Sequence, residues 1–326
     1  MTSRRTTTPA TTPEYDIEAS AALLGQVARL FFEHQLTKVE IASRLGISRF
    51  RVARLLDRAV AEGVVQIEFR DAPSQDRELN RAIAERFGIG RCVVAASDDP
   101  TAVARVGADV VDALLDPGET IGIAWGSTVA RVVRSMQPRS DATIDVIQLA
   151  GSSTALDESG DPGDLTRVLA ERLGGRPHRI HAPAFVESAE LRAALERQPE
   201  VAATIDRFET IGIAVVGIGA FGAKDRGASS SLIRSGALSA AEIERLGKLR
   251  AVGDLLVHPY TAAGRFVAPD LAARAIAISI EQLRRIPTVV AIAAGTAKTE
   301  AIRGALATGV IGVLVTDAPT ARGVLE

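Results

Sequence analysis

Three glycines in the stretch Ala214–Asp225 have the spacing G-x-G-x-x-G, which is the pattern of a dinucleotide-binding turn. They are Gly217, Gly219 and Gly222, and they directly follow the apolar run Ile211–Val216. Dinucleotide binding also requires a helix that opens at the glycines, because the pyrophosphate binds at its N-terminus. The residues that follow, AKDRGASSSLIRSG, show no helical apolar stripe. We therefore predict that no nicotinamide dinucleotide binds here, and that Gly217 and Gly219 let the backbone approach a different ligand or turn sharply.

Three other stretches place glycine and hydroxylic residues before a predicted helix: WGST at 125–128, GSST at 151–154 and AAGTAK at 293–298. Free backbone N–H groups, hydroxyls and the positive end of a helix dipole together favour an anion. Each turn taken alone could be no more than a helix cap. Because all three follow predicted strands, they indicate one pocket for a small hydroxylated ligand, with a phosphate as the expected anion. Its predicted lining comprises Trp125, Gly126, Ser127, Thr128, Gly151, Ser152, Ser153, Gly295, Thr296 and Lys298, together with Gly217 and Gly219.

A cluster of basic residues lies in Lys38–Arg58, where six Lys and Arg residues accompany two acidic ones. The whole chain has a formal net charge of -2, so this excess is local, and a local cluster is what a phosphate backbone requires. Thr37 and Glu40 have the spacing of a capping box. Gly46 suits the end of that helix, and Ser48 suits the start of the next one. Two helices joined by a short glycine-containing turn predict a helix-turn-helix.

The second helix of such a motif lies in the major groove of DNA, and its N-terminal residues contact base edges. Arginine binds guanine through two hydrogen bonds, and an aromatic ring can contact a thymine methyl group. We therefore predict groove contacts from Arg49, Phe50, Arg51 and Arg54, and phosphate contacts from Thr37, Lys38 and Ser48. The stretch VVQIEF at 64–69 alternates like the strand of a wing. A helical hairpin with a solvated basic face is the alternative interpretation.

The remaining chain alternates apolar and amphipathic stretches, which indicates a mainly parallel sheet covered by helices. Strands are predicted at Cys92–Ala96, Thr120–Trp125, Val146–Ala150, Arg179–His181, Ile211–Ile218, Leu255–Val257, Thr288–Ala293 and Gly312–Thr316. Ligands of such sheets bind beyond the carboxyl ends of the strands, which is where the glycine and hydroxylic turns fall. The predicted fold class is α/β, with an N-terminal winged helix-turn-helix followed by a Rossmann-like, mainly parallel α/β domain.

The predicted domain order is a disordered Thr- and Pro-rich tail at 1–16, a winged helix-turn-helix at 17–70, a linker at 71–76 and the α/β domain at 77–326. A length of 326 residues agrees with two domains of ordinary size. A single cysteine, Cys92, excludes an internal disulfide and a Cys-rich metal site. No apolar run approaches the length of a membrane span, and the N-terminus lacks the apolar region of a signal peptide. We expect a cytoplasmic protein without membrane contact.

The ordered combination of several segments resembles the SorC/DeoR-type sugar-binding transcriptional regulators. The segments are LTKVEIASRLGISRFRVARLLDRAVAEGVVQIEF, GETIGIAWGSTVARVV, HAPAFV, VVGIG, AVGDLLVH and IPTVVAIAAGTAKTEAIRGALATGVIGVLVTDAPTARGVL, and the similarity runs from about residue 20 to the C-terminus. The resemblance implies an effector domain similar to glucosamine-6-phosphate deaminase and ribose-5-phosphate isomerase, and a sugar or sugar-phosphate effector. It also implies a homodimer or homotetramer, and it places Asp254 in the pocket, where the related enzymes keep a functional carboxylate. This chain has Ala294–Gly295–Thr296 where many members have AGG.

The sequence is compatible with two functions. The favoured one is a transcriptional regulator of a carbohydrate-utilisation operon, which binds double-stranded operator DNA and has no catalytic residue. The alternative is a sugar-phosphate isomerase or deaminase with an appended DNA-binding head. General acid–base chemistry would then fall to Asp254, His258, Glu187 or Asp317, with Lys298 as a candidate Schiff-base lysine. We expect no metal and no cofactor, since His34, His178 and His181 lack metal-ligand spacing.

Overall fold

The computed structural model describes residues 21–65, 76–139, 143–152, 162–222 and 230–326. The described residues form two compact units, divided at the Asp71–Ala72 boundary. The predicted tail at 1–16, residues 66–69 of the predicted wing, residues 71–75 of the predicted linker and Ser153 of the predicted pocket lie outside the described residues. No helix in the described ranges combines the length and the apolar character needed to cross a bilayer.

Within residues 21–65, the N-terminal unit contains three helices, α1 (Ala21–Phe32), α2 (Lys38–Leu45) and α3 (Arg49–Ala61). The capping box that the sequence predicts at Thr37 and Glu40 is confirmed, with the Glu40 N–H 3.2 Å from the Thr37 hydroxyl and the Thr37 N–H 2.8 Å from the Glu40 carboxylate. Gly46 ends α2 in the left-handed region at a φ of 67°, which glycine adopts without strain. The Ser48 hydroxyl then caps α3 by accepting the Arg51 N–H at 3.2 Å.

These three helices share one small core, because their apolar residues recur at helical spacing. Its fully or nearly buried members are Leu24, Val27, Ala28, Leu30, Ile41, Ala42, Val52, Leu55, Leu56 and Ala59. The helix-turn-helix geometry therefore follows from local caps and from a single apolar face on each helix.

The second unit contains a sheet whose strands are β1 (Arg91–Ala95), β2 (Thr120–Ile123), β3 (Asp145–Gln148), β4 (Pro177–His178), β5 (Ile213–Ala220), β6 (Ala251–Leu255), β7 (His258–Thr261), β8 (Thr288–Ile292) and β9 (Val313–Asp317). Seven of them form a parallel array in the order β1-β9-β8-β5-β2-β3-β4. The β6–β7 hairpin joins the carboxyl end of β5 in antiparallel pairing, with Gly219 opposite Asp254. The predicted mainly parallel α/β fold is confirmed.

The helices of this unit are α4 (Arg77–Phe87), α5 (Pro100–Asp112), α6 (Ser127–Ser135), α7 (Pro162–Arg172), α8 (Ala189–Glu196), α9 (Pro199–Ile205), α10 (Ser231–Arg234), α11 (Ala240–Lys248), α12 (Pro269–Ala272), α13 (Ile280–Arg285), α14 (Thr299–Ala307) and α15 (Ala318–Leu325). Short 3₁₀ turns occupy Asp206–Thr210 and Thr296–Lys298. The apolar residues of α5, α6 and α7 pack with one face of the sheet, and those of α4, α14 and α15 pack with the other. Successive strand residues such as Val215 and Val216 therefore lie in different cores. Neighbouring side chains of a strand point to opposite faces of the sheet, and helices cover both faces here.

Two strand predictions are wrong in detail. The strand predicted at Arg179–His181 lies at Pro177–His178 instead. The single strand predicted at Leu255–Val257 is in fact the turn of the β6–β7 hairpin, where Leu256 adopts a φ of 59°. Hairpin turns usually contain Asn or Gly, but here the two turn residues are apolar because both are buried in the core. The apolar run Leu255–Val257 therefore has the composition of a strand, although the chain reverses its direction there.

Candidate ligand-binding and nucleic-acid-binding sites

A cavity lies where the carboxyl ends of β2 and β5 meet the β6–β7 hairpin, which is the position at which parallel sheets bind ligands. We call it the inner cavity, and its accessible volume is about 40 Å³. It is lined by Ala124, Trp125, Gly126, Ser127, Thr128, Val129, Gly217, Ile218, Gly219, Ser231, Asp254, Leu256 and Lys298. The structure thus brings together eight of the residues that the sequence assigns to one pocket, from four separate segments.

A second cavity, the outer cavity, shares Ser127, Thr128 and Lys298 with the inner one and has an accessible volume of about 300 Å³. Its other lining residues are Asp98, Pro100, Val103, Arg131, Arg234, Ala294 and Gly295. Three cationic side chains therefore surround the N-terminus of α6. Such a helix end already attracts anions through its free N–H groups and its dipole.

Arg131 and Arg234 are not among the pocket residues predicted from the sequence. Arg131 lies four residues after Ser127 on α6, so helical spacing from a predicted anion-binding turn could have found it. Arg234 belongs to the four-residue helix α10, and no sequence signal links it to the strand ends.

Lys298 is half-buried, and its ammonium group donates a hydrogen bond to the Ile218 carbonyl oxygen at 2.9 Å. Burial lowers the pKa of Lys298, the negative charge of Asp254 opposes that shift, and the positive charges of Arg234 and Arg131 add to it. This mutual repulsion of three cations would be relieved by a bound anion, since an opposite charge favours the charged form of lysine.

Asp254 lies on β6 and is only 4% exposed. Burial raises the pKa of Asp254 to about 7, while the Ser230 hydroxyl and the Lys298 charge act in the opposite direction. The Ser230 hydroxyl donates to Oδ1 at 2.6 Å. A Cβ atom on Gly219 would lie 2.1 Å from the same oxygen, so only glycine fits beside the carboxyl group.

Trp125 lies two residues after the end of β2 and is 7% exposed. Among the described residues, its buried indole Nε1 has no hydrogen-bond partner. Buried polar groups are paired in the great majority of cases, so a donor of this kind beside a cavity calls for an explanation.

Glycine conformation shapes both turns that line the outer cavity. Gly126 precedes α6 with a φ of 133°, and no side chain caps the helix, which leaves its first N–H groups to a ligand. Gly295 has a φ of 101°, and its N–H donates to the Asp317 carboxylate at 2.6 Å. The other Asp317 oxygen accepts the Thr320 N–H at 2.8 Å at the start of α15. Asp317 therefore links the turn before Lys298 to the start of α15.

The structure does not bring every predicted pocket residue to these cavities. Gly151 is packed between backbone groups, since a Cβ there would lie 2.6 Å from the Ala182 and Pro183 carbonyl oxygens. Ser152 lines a separate cavity of about 370 Å³ with Gln148, Arg179 and His181. Thr296 is exposed and is absent from the lining of both the inner and the outer cavity.

The acid–base groups considered for an enzyme are also dispersed. Of the four, only Asp254 lines the inner cavity. Glu187 is exposed, and Asp317 accepts the hydrogen bonds described above. His258 is buried, burial lowers its pKa, and its Nε2 donates to the Ile278 carbonyl at 2.9 Å. No group of three His, Cys, Asp or Glu residues suited to a metal ion occurs in the ranges that the structure covers.

The predicted DNA-contacting residues of α2 and α3 lie largely on the surface. Thr37, Lys38, Ser48, Arg49, Phe50 and Arg54 are exposed, and Arg51 is half-buried. Phe50 is 67% exposed, and the Arg49 guanidinium lies 4.9 Å from the centre of its ring. Whereas Arg58 forms an ion pair with Glu62 at 2.7 Å, no ion pair of Arg49, Arg51 or Arg54 occurs among the described residues.

A capped helix-turn-helix with exposed arginines, joined in one chain to an α/β unit with a cationic cavity, defines a ligand-responsive DNA-binding protein. Residues 71–326 match the family model described as "Putative sugar-binding domain". The chain belongs to the SorC/DeoR-type family of sugar-binding transcriptional regulators. It is 29% identical over 317 residues to the sorbitol operon regulator of Klebsiella pneumoniae, covering 93% of this chain and 98% of the relative.

A similar relationship holds with the erythritol catabolism regulatory protein EryD of Brucella abortus (strain 2308), at 29% identity over 315 residues, 94% of this chain and 98% of that one. The crystal structure of full-length SorC from Klebsiella pneumoniae superimposes with a TM-score of 0.75 at 27% identity, covering 94% of this chain and 99% of SorC. These relatives are transcriptional regulators, so the prediction of a regulator rather than an enzyme is confirmed. Membership of this family implies binding of DNA and of a sugar effector.

Proposed function

We propose that this protein regulates a carbohydrate-utilisation operon in the cytoplasm, and that a sugar phosphate bound in the inner and outer cavities controls its binding to operator DNA. The observation that carries the proposal is the convergence of Arg131, Arg234 and Lys298 on the N-terminus of α6. Relatives named for sorbitol and erythritol support a carbohydrate effector. Residues 17–70 form the winged helix-turn-helix domain of this proposal, and residues 77–326 form the effector domain.

The phosphate occupies the outer cavity. Guanidinium groups bind phosphate through paired hydrogen bonds, and Arg131 and Arg234 supply two of them. Ser127 and Thr128 add hydroxyls and backbone N–H groups at the start of α6. The carbohydrate part extends towards the inner cavity, whose polar lining includes Asp254.

The DNA contacts follow from the exposed face of the helix-turn-helix. Arg49, Phe50, Arg51 and Arg54 enter the major groove, while Thr37, Lys38 and Ser48 contact phosphates. A homodimer or homotetramer places two recognition helices on a roughly palindromic operator, since half-site spacing mirrors protein symmetry. The effector changes DNA binding by its different affinity for the two arrangements of the oligomer.

The test is fluorescence anisotropy of labelled DNA from the upstream region of the gene itself. Protein is titrated with and without pentose, hexose and polyol phosphates, and with the corresponding unphosphorylated sugars. We expect one phosphorylated compound to shift the DNA-binding curve. In the double variant Arg131→Gln/Arg234→Gln, that shift should be lost while DNA affinity stays unchanged.

Arg134→Gln is the matched control, because Arg134 is an exposed arginine of the same helix that lies outside the outer cavity. Arg51→Ala should have the converse effect and weaken DNA binding by about 1–3 kcal/mol, with relaxed base preference if the guanidinium contacts a base. An effector response that survives the double variant would show that the phosphate binds elsewhere.

A further inference from the structure

A fourth cavity of the α/β unit lies between β7, α8, α12 and α13, and the proposed function does not use it. We call it the α13 cavity. Its accessible volume is about 430 Å³, which falls within the range of roughly 300–1,000 Å³ that is typical of small-molecule pockets. It shares no described lining residue with the inner or the outer cavity. A ligand bound there would therefore be additional to the effector at the strand ends.

Six residues give the α13 cavity an apolar surface that suits the body of an organic ligand. They are Phe266, Val267, Pro269, Ala272, Ala273 and Ile280. The ring of Phe266 packs edge-to-face with the ring of His258, whose centre lies 6.3 Å away. The guanidinium carbon of Arg284 lies 5.9 Å from the centre of the Phe266 ring. Because these two neighbours hold its ring, Phe266 offers the ligand a fixed aromatic surface.

His258 supplies the α13 cavity with a hydrogen-bond acceptor. Its Nε2 carries the ring hydrogen, because the Ile278 carbonyl oxygen 2.9 Å away can only accept. Burial lowers the pKa of His258, so the ring is neutral at neutral pH and Nδ1 holds a free lone pair. Among the described residues Nδ1 has no hydrogen-bond partner, and it is not one of the unpaired polar atoms that are wholly buried. The accessible part of this 9% exposed residue therefore includes Nδ1, which can accept a hydrogen bond from a ligand.

The charged residues of the α13 cavity offer both signs to a ligand. Arg192 uses its Nε to bind Glu196 at 2.7 Å, and Arg284 uses one Nη to bind the Thr308 carbonyl oxygen at 3.3 Å. Their remaining N–H groups have no acceptor in the part of the chain that the structure describes, and neither does the exposed Glu281 carboxylate have a cationic partner there. Two guanidinium groups attract a carboxylate, whereas Glu281 attracts a cation.

We propose that the α13 cavity is a second ligand site of this protein, for an α-amino acid with an apolar side chain. The ligand carboxylate binds the N–H groups of Arg192 and Arg284. The ammonium group donates to Nδ1 of His258 and pairs with the Glu281 carboxylate, and the ligand side chain packs against Phe266. Each polar group of the ligand thereby meets a protein group of complementary charge or hydrogen-bonding character.

Isothermal titration calorimetry of the full chain with matched compounds tests the chemical class. The amino acids are L-phenylalanine and L-leucine, and we expect at least one of them to bind. For L-phenylalanine, 3-phenyllactate replaces the ammonium group with a hydroxyl, and 2-phenylethylamine lacks the carboxylate. For L-leucine, 2-hydroxyisocaproate and isopentylamine serve in the same way. Each analogue should bind about tenfold or more weakly than its amino acid, because it loses hydrogen bonds to a charged group.

Two exposed side chains allow the charges to be tested without disturbing the core. Glu281→Gln should weaken the amino acid but strengthen its hydroxy acid analogue about two- to fivefold, since the glutamate attracts an ammonium group and repels a carboxylate. A variant that merely damaged the cavity would weaken both compounds. Arg284→Gln should weaken the amino acid about three- to tenfold and leave the amine analogue unaffected. Arg285→Gln is the matched control, because Arg285 is the next residue, is exposed, pairs with Glu209 at 2.7 Å and does not line the cavity.

A separate site also requires that the strand-end cavities play no part. Amino-acid binding should therefore survive in Arg131→Gln/Arg234→Gln and in millimolar inorganic phosphate. Loss of binding in either case would overturn the inference, because the compound would then bind at the strand ends. Equal affinity for the amino acid and its hydroxy acid, equal losses in Arg284→Gln and Arg285→Gln, or no binding of either amino acid at millimolar concentration would also overturn it. None of these results would affect the proposed function, whose phosphorylated effector binds elsewhere.

Discussion

Replacement of Asp254 by asparagine should change how the stability of the α/β unit depends on pH. The carboxyl group is 4% exposed, and burial raises its pKa to about 7 from the ordinary value of 3.8. Between these two values the native protein holds a proton that the unfolded chain has lost. The free energy of unfolding therefore falls as pH rises, by about 1.4 kcal/mol per unit and by about 4 kcal/mol in all.

Asp254→Asn removes this titration at nearly constant volume, and its amide oxygen can still accept the Ser230 hydroxyl. From pH 5 to pH 8, the wild-type protein should lose about 3 kcal/mol of stability relative to the variant, since two of those pH units lie below the native pKa. The nearby titratable groups are Lys298 and Tyr260. Burial raises the pKa of Tyr260 well above 10, so it stays neutral in this range. The pKa of Lys298 depends on Asp254, so the comparison is repeated in a Lys298→Met background.

The assay is urea unfolding of the full chain at pH 5, 6, 7 and 8, followed by the fluorescence of Trp125, which lies in the same unit as Asp254. Asp270→Asn is the control. Hydrogen bonds from Arg245 lower the pKa of the half-exposed Asp270, so this group titrates below the measured range and its curve should run parallel to that of the wild type. If the Asp254→Asn curve also runs parallel to that of the wild type, the carboxyl group is ionised at pH 5 and the argument from burial is wrong.

Three further substitutions have expected effects. Gly219→Ala should destabilise the α/β unit by about 1–3 kcal/mol in the same assay, because its Cβ would overlap Asp254, whereas Gly217→Ala, whose nearest contact would be 3.9 Å away, should change little. Thr37→Ala should destabilise the helical unit by about 1 kcal/mol, because α2 loses its N-terminal cap. Thermal circular dichroism should show this loss as a lower unfolding midpoint. An unchanged midpoint would contradict the capping argument. Asp317→Asn should weaken effector binding in calorimetry by releasing the turn before Lys298 while leaving DNA affinity unchanged. Full effector affinity in that variant would show that the turn is held by other contacts.

Local signals in the sequence were sufficient for the helix-turn-helix. The capping box, the glycine at the end of α2 and the serine at the start of α3 each depend on residues within four positions of one another. The alternation of apolar strands and amphipathic helices likewise indicated the parallel sheet. A strand that is covered on both faces is a nearly continuous apolar run, and such a run can be recognised in the sequence. The strand-end position of WGST followed from the general topology of such sheets.

The residues that line the cavities could not be predicted from local sequence signals, because the lining depends on which strand ends are neighbours in the folded sheet. Gly126, Gly217 and Lys298 are distant in the chain and adjoin only because β2, β5 and β8 are neighbours in the sheet. GSST at 151–154 has the same residue types as WGST, yet Ser152 pairs with Pro183 and lies at a different cavity. Residue type alone could not distinguish these two turns.

The amino-acid sequence by itself determined the two kinds of unit, the caps and faces of their helices, and the membership of a regulator family, since these depend on short-range spacing and on ordered motifs. Only the tertiary structure decided that Arg131 and Arg234 join Lys298 and that Leu256 turns the chain. The physical reason is that the charge, burial and free volume of a site depend on residues from several segments. These segments are distant in the sequence and meet only in the folded protein.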